Sequence, residues 1–252
     1  MSIYIKAYFS KSIFYSLICI LICVLIIAVM LTINKVQSIN SVGTNKKDYD
    51  YTVIIDPGHG GVDGGAVGVD GVVEKGINLS ISLKLRTFFQ QAGFKVIMTR
   101  EDDRSIHDEN SKTIRKQKTS DLYNRLDIIK NNPHAIFISI HQNKFEDSKY
   151  SGTQVFYSKN NDVSELLAST LQNNIKNLLQ PQNYREIKKA EKNLFLLYNA
   201  KSPAVLVECG FLSNAKEAAV LQTNDYQNKM AFAIFYGTLL FYDAYDTAKL
   251  TF

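Results

Sequence analysis

The 252-residue sequence contains no tryptophan, only three cysteines and only four prolines. Two of the cysteines, Cys19 and Cys23, sit inside an uncharged apolar run near the N-terminus, so Cys209 is the only thiol of the remainder. No disulfide can form within that remainder, which excludes a disulfide-stapled scaffold. An excess of one charge is missing too. Beyond the first 33 residues, whose only charges are Lys6 and Lys11, 27 basic residues face 24 acidic ones, a net of +3. A balance so close to neutral does not indicate nucleic acid as a partner. There is no repeat of any period and no low-complexity tract.

Residues 13–33 (IFYSLICILICVLIIAVMLTI) carry no charge. As a helix they would reach ~30 Å, about the thickness of a bilayer's hydrocarbon core. No A-x-A-like cleavage site follows, where the chain reads NKVQSINSV, so the expectation is an uncleaved anchor or signal behind a short tail, residues 1–12. Lysines flank the run on both sides (Lys6 and Lys11 before it, Lys35, Lys46 and Lys47 after it), and the positive-inside rule does not orient it. An extracytoplasmic position for the rest of the chain is not read from charge. Residues 34–50 are polar and read as a flexible linker, and one folded domain is expected over residues 51–246.

Within that domain, apolar runs of strand length alternate with stretches of helical period, which is the pattern of an α/β fold. The strand candidates YTVIID (Tyr51 to Asp56), FKVIMT (Phe94 to Thr99), AIFISIH (Ala135 to His141), TQVFYS (Thr153 to Ser158) and AVLVE (Ala204 to Glu208) are rich in Val, Ile and Phe, as strands buried on both faces are. Ile77, Leu79, Leu83, Leu85 and Phe88 predict a helix stopped by Gly93. Leu122, Leu126 and Ile129 predict another behind Ser120. Further helices are expected over Val163 to Leu179 and from about Tyr226 to Tyr242, where Met230, Ile234, Gly237 and Phe241 form a stripe that is read as core packing.

Three strands lead straight into polar groups: YTVIID into PGHGGVDGG, AIFISI into His141, and AVLV into Glu208. Such strands would gather those groups at the carboxyl edge of a parallel sheet, where open α/β sheets place their sites. His59 lies among five glycines, the residue a backbone needs for positive φ or close approach. A phosphate-cradling loop is disfavoured, because there is no Gly-Lys-Ser/Thr ending and no G-x-G-x-x-G opening a helix. His59, Glu74 and His141 fit the His/His/Glu set of catalytic zinc, which leaves a fourth position for water and lowers that water's pKa to about 7. Alone, Glu74 would read as a charge at a helix N-terminus and His59 as a turn histidine. Glu208, at the end of an apolar strand, is costly to ionise unless a cation is near, and beside zinc it would serve as general base and acid. Cys209 is the competing nucleophile, but neighbours on a strand point to opposite faces. His107 and His134 fall in polar segments, as does the basic run from Lys112 to Lys118, and all are read as solvated. Arg100 and Arg125 are read as loop supports, and Asn143 stands near the ligands in sequence.

IIDPGHGG, the glutamate in VVEKGINL, VIMTR, the arginine in DLYNRLDIIKN, FISIHQN and PAVLVECGFLSN together resemble the successive motifs of the zinc-dependent N-acetylmuramoyl-L-alanine amidases (amidase type 3), over nearly everything from Tyr51 to Tyr242. The resemblance implies a single domain with a twisted, mainly parallel sheet of about six strands flanked by helices. It also implies one zinc ion held by His59, Glu74 and His141. Glu208 would then act on the amide between the lactyl group of muramic acid and L-alanine, and the partner would be peptidoglycan strands with their stem peptides. TREDDR, IRKQKTSDLYNR and SPAVLVECGFLSN further resemble the spore-cortex subgroup, whose activity prepares muramic δ-lactam. That likeness implies a membrane-anchored catalytic domain facing the space between the forespore membranes. No helix of an autoinhibitory kind is evident between His141 and Glu208, so control by expression, metal loading or an accessory or activator protein is an expectation. Two alternatives stay open at this point: a non-catalytic peptidoglycan-binding homologue, and a zinc peptidase acting on another cell-wall amide.

Overall fold

The computed structural model describes residues 51–250 and, upstream of them, residues 13–17, 20–22, 24 and 30. The expected anchor over residues 13–33 therefore lies largely outside the described residues, and the tail 1–12 and the linker 34–50 lie wholly outside them. Among the described residues no helix is long and apolar enough to cross a membrane. The chain divides into two compact units, Met1–Lys47 and Asp48–Phe252, of which the second carries the fold and the site.

Strand β1 (Thr52–Pro57) is followed by helix α1 (Glu74–Gln91), β2 (Lys95–Met98), α2 (Ile114–Lys130), β3 (Ile136–Asn143) and β4 (Gln154–Tyr157). Then come α3 (Val163–Leu179), β5 (Lys188–Lys189), a short α4 (Phe195–Asn199), β6 (Ala204–Phe211), α5 (Ala215–Leu221) and α6 (Asn224–Leu250). One six-stranded sheet has the order β2-β1-β3-β6-β4-β5. Strands β2, β1, β3 and β6 run parallel, β4 is antiparallel to β6, and β5 is parallel to β4. All five strand candidates of the sequence join this sheet, and the fold is the mainly parallel α/β domain that the motif resemblance implies.

Side chains alternate across each strand. Val53 and Ile55 of β1, Ile136, Ile138 and Ile140 of β3, and Val205 and Val207 of β6 enter one core with Ile77, Ile81, Leu85 and Phe89 of α1, Leu167 and Leu171 of α3, and Met230 and Ile234 of α6. Ile54, Phe137, Ala204 and Leu206 enter a second core on the opposite face with Leu126 and Ile129 of α2 and Leu196 and Leu197 of α4. Both faces are thus covered, which is why the strands read as continuous apolar runs. Each of the four buried α1 side chains contributes about 1.5–3 kcal/mol by leaving water. The stripe on α6 is core packing as expected: a Cβ on Gly237 would come within 2.9 Å of Leu171, so this glycine sets how closely α6 approaches α3.

Helix α1 ends as its glycine predicts. Gly93 takes φ 93°. Its N–H donates to the Gln90 carbonyl at 3.1 Å, the Phe94 N–H donates to the Phe89 carbonyl at 3.0 Å, and the Phe89 and Phe94 rings meet at 5.2 Å. This is a Schellman ending with its hydrophobic contact.

Other boundaries differ from expectation. Helix α2 begins at Ile114, capped by Thr113, whose side chain accepts from the Lys116 N–H at 3.3 Å; Ser120 lies inside it and accepts from the Asp108 N–H at 2.8 Å. Strands β3 and β6 run two and three residues past His141 and Glu208, so both groups lie within strands, paired in register. Helix α6 is longer than its apolar stripe. The antiparallel setting of β4 and the short elements β5, α4 and α5 have no periodic signal and were not anticipated.

Gly93→Ala forces an L-residue into the left-handed region, at a cost of about 1–2 kcal/mol. The expected outcome is a lower denaturant midpoint with an unchanged slope; an unchanged midpoint would refute the capping role.

Candidate active site

Beyond β1 the backbone leaves the sheet through Gly58, and His59 itself takes φ 63°, the only non-glycine positive φ among the described residues. That conformation costs an L-residue about 1–2 kcal/mol and persists only where the surroundings over-determine it. Here they do. The Gly58 N–H donates to the Ile140 carbonyl at 3.0 Å, and Gly60 and Asp63 exchange backbone hydrogen bonds at 2.8 and 3.1 Å. Three consecutive carbonyls are then held by two buried arginines. Arg125 donates to Pro57 at 2.9 Å and His59 at 2.8 Å, and Arg100 to Pro57 at 2.9 Å and Gly58 at 3.1 Å. Arg125 is paired with Asp56 at 2.5 Å and with Asp121 at 2.7 Å. Burial opposes ionisation of Asp56, but Arg125 and hydroxyl bonds from Ser139 and Thr99 outweigh it and hold the carboxyl below its usual range. The reading of both arginines as loop supports is correct.

This loop brings His59 beside Glu74, the first residue of α1, and His141 of β3. Glu74 divides its oxygens between the histidines: Oε2 lies 3.3 Å from His59 Nε2 and Oε1 lies 2.9 Å from His141 Nδ1. The rings of the two histidines are 4.9 Å apart, nearly perpendicular, and one ligand atom from each of the three residues falls within 4.8 Å of the others. Glu74 is buried and further fixed by the N–H groups of Ala66 at 2.8 Å and Gln142 at 3.0 Å and by Asn78 Nδ2 at 3.1 Å. Burial opposes its ionisation, yet the bonds from His141 and His59 hold its pKa well below the ordinary glutamate value. Burial alone would lower His59, but hydrogen bonds to Asp63 and Glu74 raise it to about 9. A cation placed among the three would displace such protons, because ligands bind deprotonated.

The supporting shell is built for that. Asp63 Oδ2 lies 2.8 Å from His59 Nδ1, orienting the ring so that Nε2 faces the cluster, as outer carboxylates do for ligating histidines. Lys118 in turn pairs with Asp63 at 2.7 Å. Lys118 is therefore more than part of the solvated basic run it was read as: α2 starts early enough to carry it to the site. Two glycines make room. A Cβ on Gly58 would lie 2.2 Å from His141 Nε2, and one on Gly65 would lie 2.5 Å from Glu74 Oε2. The donor set, the outer carboxylate and this clearance fit a small cation held by two imidazoles and a carboxylate.

Glu208 pairs in register with His141 on the neighbouring strand, so both side chains leave the sheet on one face. The residue is partly exposed, but its Oε2 is sealed from solvent and has no hydrogen-bond partner among the described residues. Burial, assisted by Glu74 and opposed by His141, raises its pKa to about 7. Cys209 enters the core on the opposite face, fully buried, and burial pushes its thiol far above its usual range. It cannot act as a nucleophile in this site. His107 bonds Ser105 and His134 is exposed, so neither joins the cluster. Next to His59 and His141, a cavity of about 310 Å³ is bounded by Lys118, Leu122 and α4 residues including Leu196 and Leu197. Asp63 and Lys118 escaped sequence reading; an acid four residues after a ligand is a weak signal for the first, and nothing signals the second.

Fold and site together define a mainly parallel α/β domain with a candidate metal centre at the carboxyl ends of its parallel strands. The family model described as N-acetylmuramoyl-L-alanine amidase matches residues 53–238, and the chain belongs to that family. It is 36% identical over 194 residues to the germination-specific N-acetylmuramoyl-L-alanine amidase of Bacillus subtilis, covering 75% of this chain and 79% of that one. Among solved structures, the CwlD amidase of Clostridioides difficile in complex with the GerS lipoprotein is similar at 44% identity and a TM-score of 0.75, over 77% of this chain and all of that one. The amidase AmiC2 of Nostoc punctiforme is similar at 28% identity and a TM-score of 0.66, over 80% and 99% of the two chains. The protein is accordingly an N-acetylmuramoyl-L-alanine amidase.

Arg125→Met leaves Asp56 buried without its counter-charge and is expected to cost about 3–5 kcal/mol in chemical denaturation. Gly58→Ala should leave the secondary structure intact but abolish metal retention, because its Cβ occupies the His141 ring; a variant that keeps its metal would refute the clearance argument.

Proposed function

We propose that this amidase holds zinc with His59, Glu74 and His141 and uses Glu208 as its general base and acid. The observation that carries the proposal is the sealed, unpartnered Oε2 of Glu208 beside His141. Two imidazoles and one carboxylate are a donor set that suits catalytic zinc, and one ligand atom from each of the three would be available to hold it. Bound there, zinc supplies Lewis-acid polarisation of the amide carbonyl and lowers the pKa of a water to about 7. Glu208, with a pKa near neutrality, takes a proton from the attacking water and returns it to the departing amine of L-alanine, so one carboxyl serves both half-steps. Lys118 and Asp63 keep the His59 ring in place throughout. A module that only bound glycan would have no use for a base at position 208.

The likeness to the germination-specific enzyme and to CwlD supports a role on spore-cortex peptidoglycan, with removal of the stem peptide preparing muramic δ-lactam. The lipoprotein bound to CwlD supports an accessory partner for this chain as well. The uncharged stretch over residues 13–33 supports a membrane anchor, and the peptidoglycan substrate of the family, which lies outside the cytoplasm, supports an extracytoplasmic catalytic domain. Protease added to wall-stripped, non-sporulating cells that express the full chain would then cleave the domain, and a protected domain would refute that orientation.

Glu208→Gln should retain one zinc per chain by elemental analysis and lose ~10²–10⁴-fold in rate. His141→Ala should lose zinc and activity together. Mass spectrometry of digested peptidoglycan should detect intact peptides beginning at L-alanine with the wild-type chain; wild-type turnover by Glu208→Gln would overturn the mechanism.

A further inference from the structure

The polar face of the sheet does not stop at Glu208. Glu208 is in register with His141 on one side and with Gln154 of β4 on the other, so the three side chains emerge in a row on one face. Gln154 is buried and oriented at both ends: its Nε2 donates to the Glu186 carbonyl at 2.8 Å, and its Oε1 accepts from Arg185 Nη2 at 2.6 Å. Gln154 lies one strand spacing, about 4.8 Å, beyond Glu208, and the Arg185 guanidinium sits on the Gln154 side chain, close enough to Glu208 to feel its charge.

Arg185 is held differently from the arginines that support the loop. Its guanidinium lies over the Phe211 ring, 4.8 Å from the centroid, and Phe211 in turn stacks with Tyr150. Its Nε is buried and has no hydrogen-bond partner among the described residues. Glu217, Tyr150 and Glu208 act on it through space only. Glu217 is already committed, its two oxygens accepting from the N–H groups of Gly152 and Phe211 at 2.8 Å each. A groove of about 670 Å³ opens here, bounded by Tyr150, Gly152, Asn183, Tyr184, Arg185 and Glu217. A guanidinium fixed by an aromatic ring and by one bond to a glutamine, with a groove in front, matches a planar carboxylate. Clamping Gln154 alone would need one N–H.

We propose that Arg185 recognises a free carboxylate on the peptide portion of the substrate, within two residues of the scissile amide, the peptide lying in this groove. Two extended residues span about 7 Å, enough to reach past the one strand spacing, about 4.8 Å, that separates β6 from β4. The inference rests on the amidase reading and adds a specificity-determining residue to it. Arg185 thereby selects acidic stem peptides over those whose carboxylate has been converted to an amide.

The test compares two soluble muramoyl peptides, identical except that the residue after L-alanine carries a free carboxylate in one and a carboxamide in the other. The zinc-loaded full-length chain and its Arg185→Gln and Arg185→Lys variants are assayed on both. The wild type should favour the carboxylate substrate by about 10- to 100-fold in kcat/KM, mostly through KM. Arg185→Gln should lose that preference by raising KM for the carboxylate substrate alone, and Arg185→Lys should retain part of it. Equal preference in the wild type, or an Arg185→Gln variant impaired equally on both substrates, would overturn the proposal. Where the chain alone turns over neither substrate, the preference is read from equilibrium binding of the two peptides, and equal affinities would overturn the subsite while leaving the amidase reading standing.

Discussion

The site depends on satisfying three backbone carbonyls that have no strand to pair with. The backbone leaves the sheet after Pro57, where His59 must turn inward; the carbonyls of Pro57 and His59 would be left without partners there at about 1–3 kcal/mol each, while that of Gly58 also accepts from Asn78 at 3.1 Å. Arg100 and Arg125 supply the missing donors. Burying two guanidiniums is itself costly, and the cost is offset by Asp56 and Asp121 and by the number of bonds each arginine makes. The left-handed His59 is thus over-determined, and a strained backbone becomes a fixed ligand position.

Topology does the rest of the positioning. The order β2-β1-β3-β6 sets the His59 loop, His141 and Glu208 on successive neighbours of a parallel sheet, and the register pairs His141 with Glu208. His141 and Glu208 are therefore separated by one strand spacing, a distance set by backbone hydrogen bonds and not by flexible side chains. Glu74 enters from a different direction, at the first turn of α1, where backbone N–H groups of Ala66 in the preceding loop and Gln142 in β3 converge on it. The register of β3 with β6 shifts just beyond His141, and the irregularity falls past the chemistry, where the strands continue toward the rim.

Much of this was legible in the sequence because the relevant signals are local. Strands buried on both faces betray themselves as apolar runs, and polar residues interrupting such runs stand out. Gly93 announced the end of α1, and the parity of Glu208 and Cys209 placed the thiol on the far face before any contact was known. What was illegible depends on registry between distant segments. Lys118 looked like part of a wetted basic run, since nothing in its neighbourhood tells that α2 starts six residues earlier than its apolar spacing suggests. Strand β4 has the composition of its parallel neighbours, and only its connection reverses it.

By itself the sequence determined which residue types can bind a cation or move a proton, and which segments lie on buried strands, because composition and period act over a few residues. Only the tertiary structure decided that Glu74 splits its two oxygens between the histidines, that Asp63 and Lys118 orient His59, and that Gln154 and Arg185 continue the row past Glu208. Those facts depend on distances of a few ångströms between residues tens of positions apart, and such distances are set by sheet order, register and helix placement.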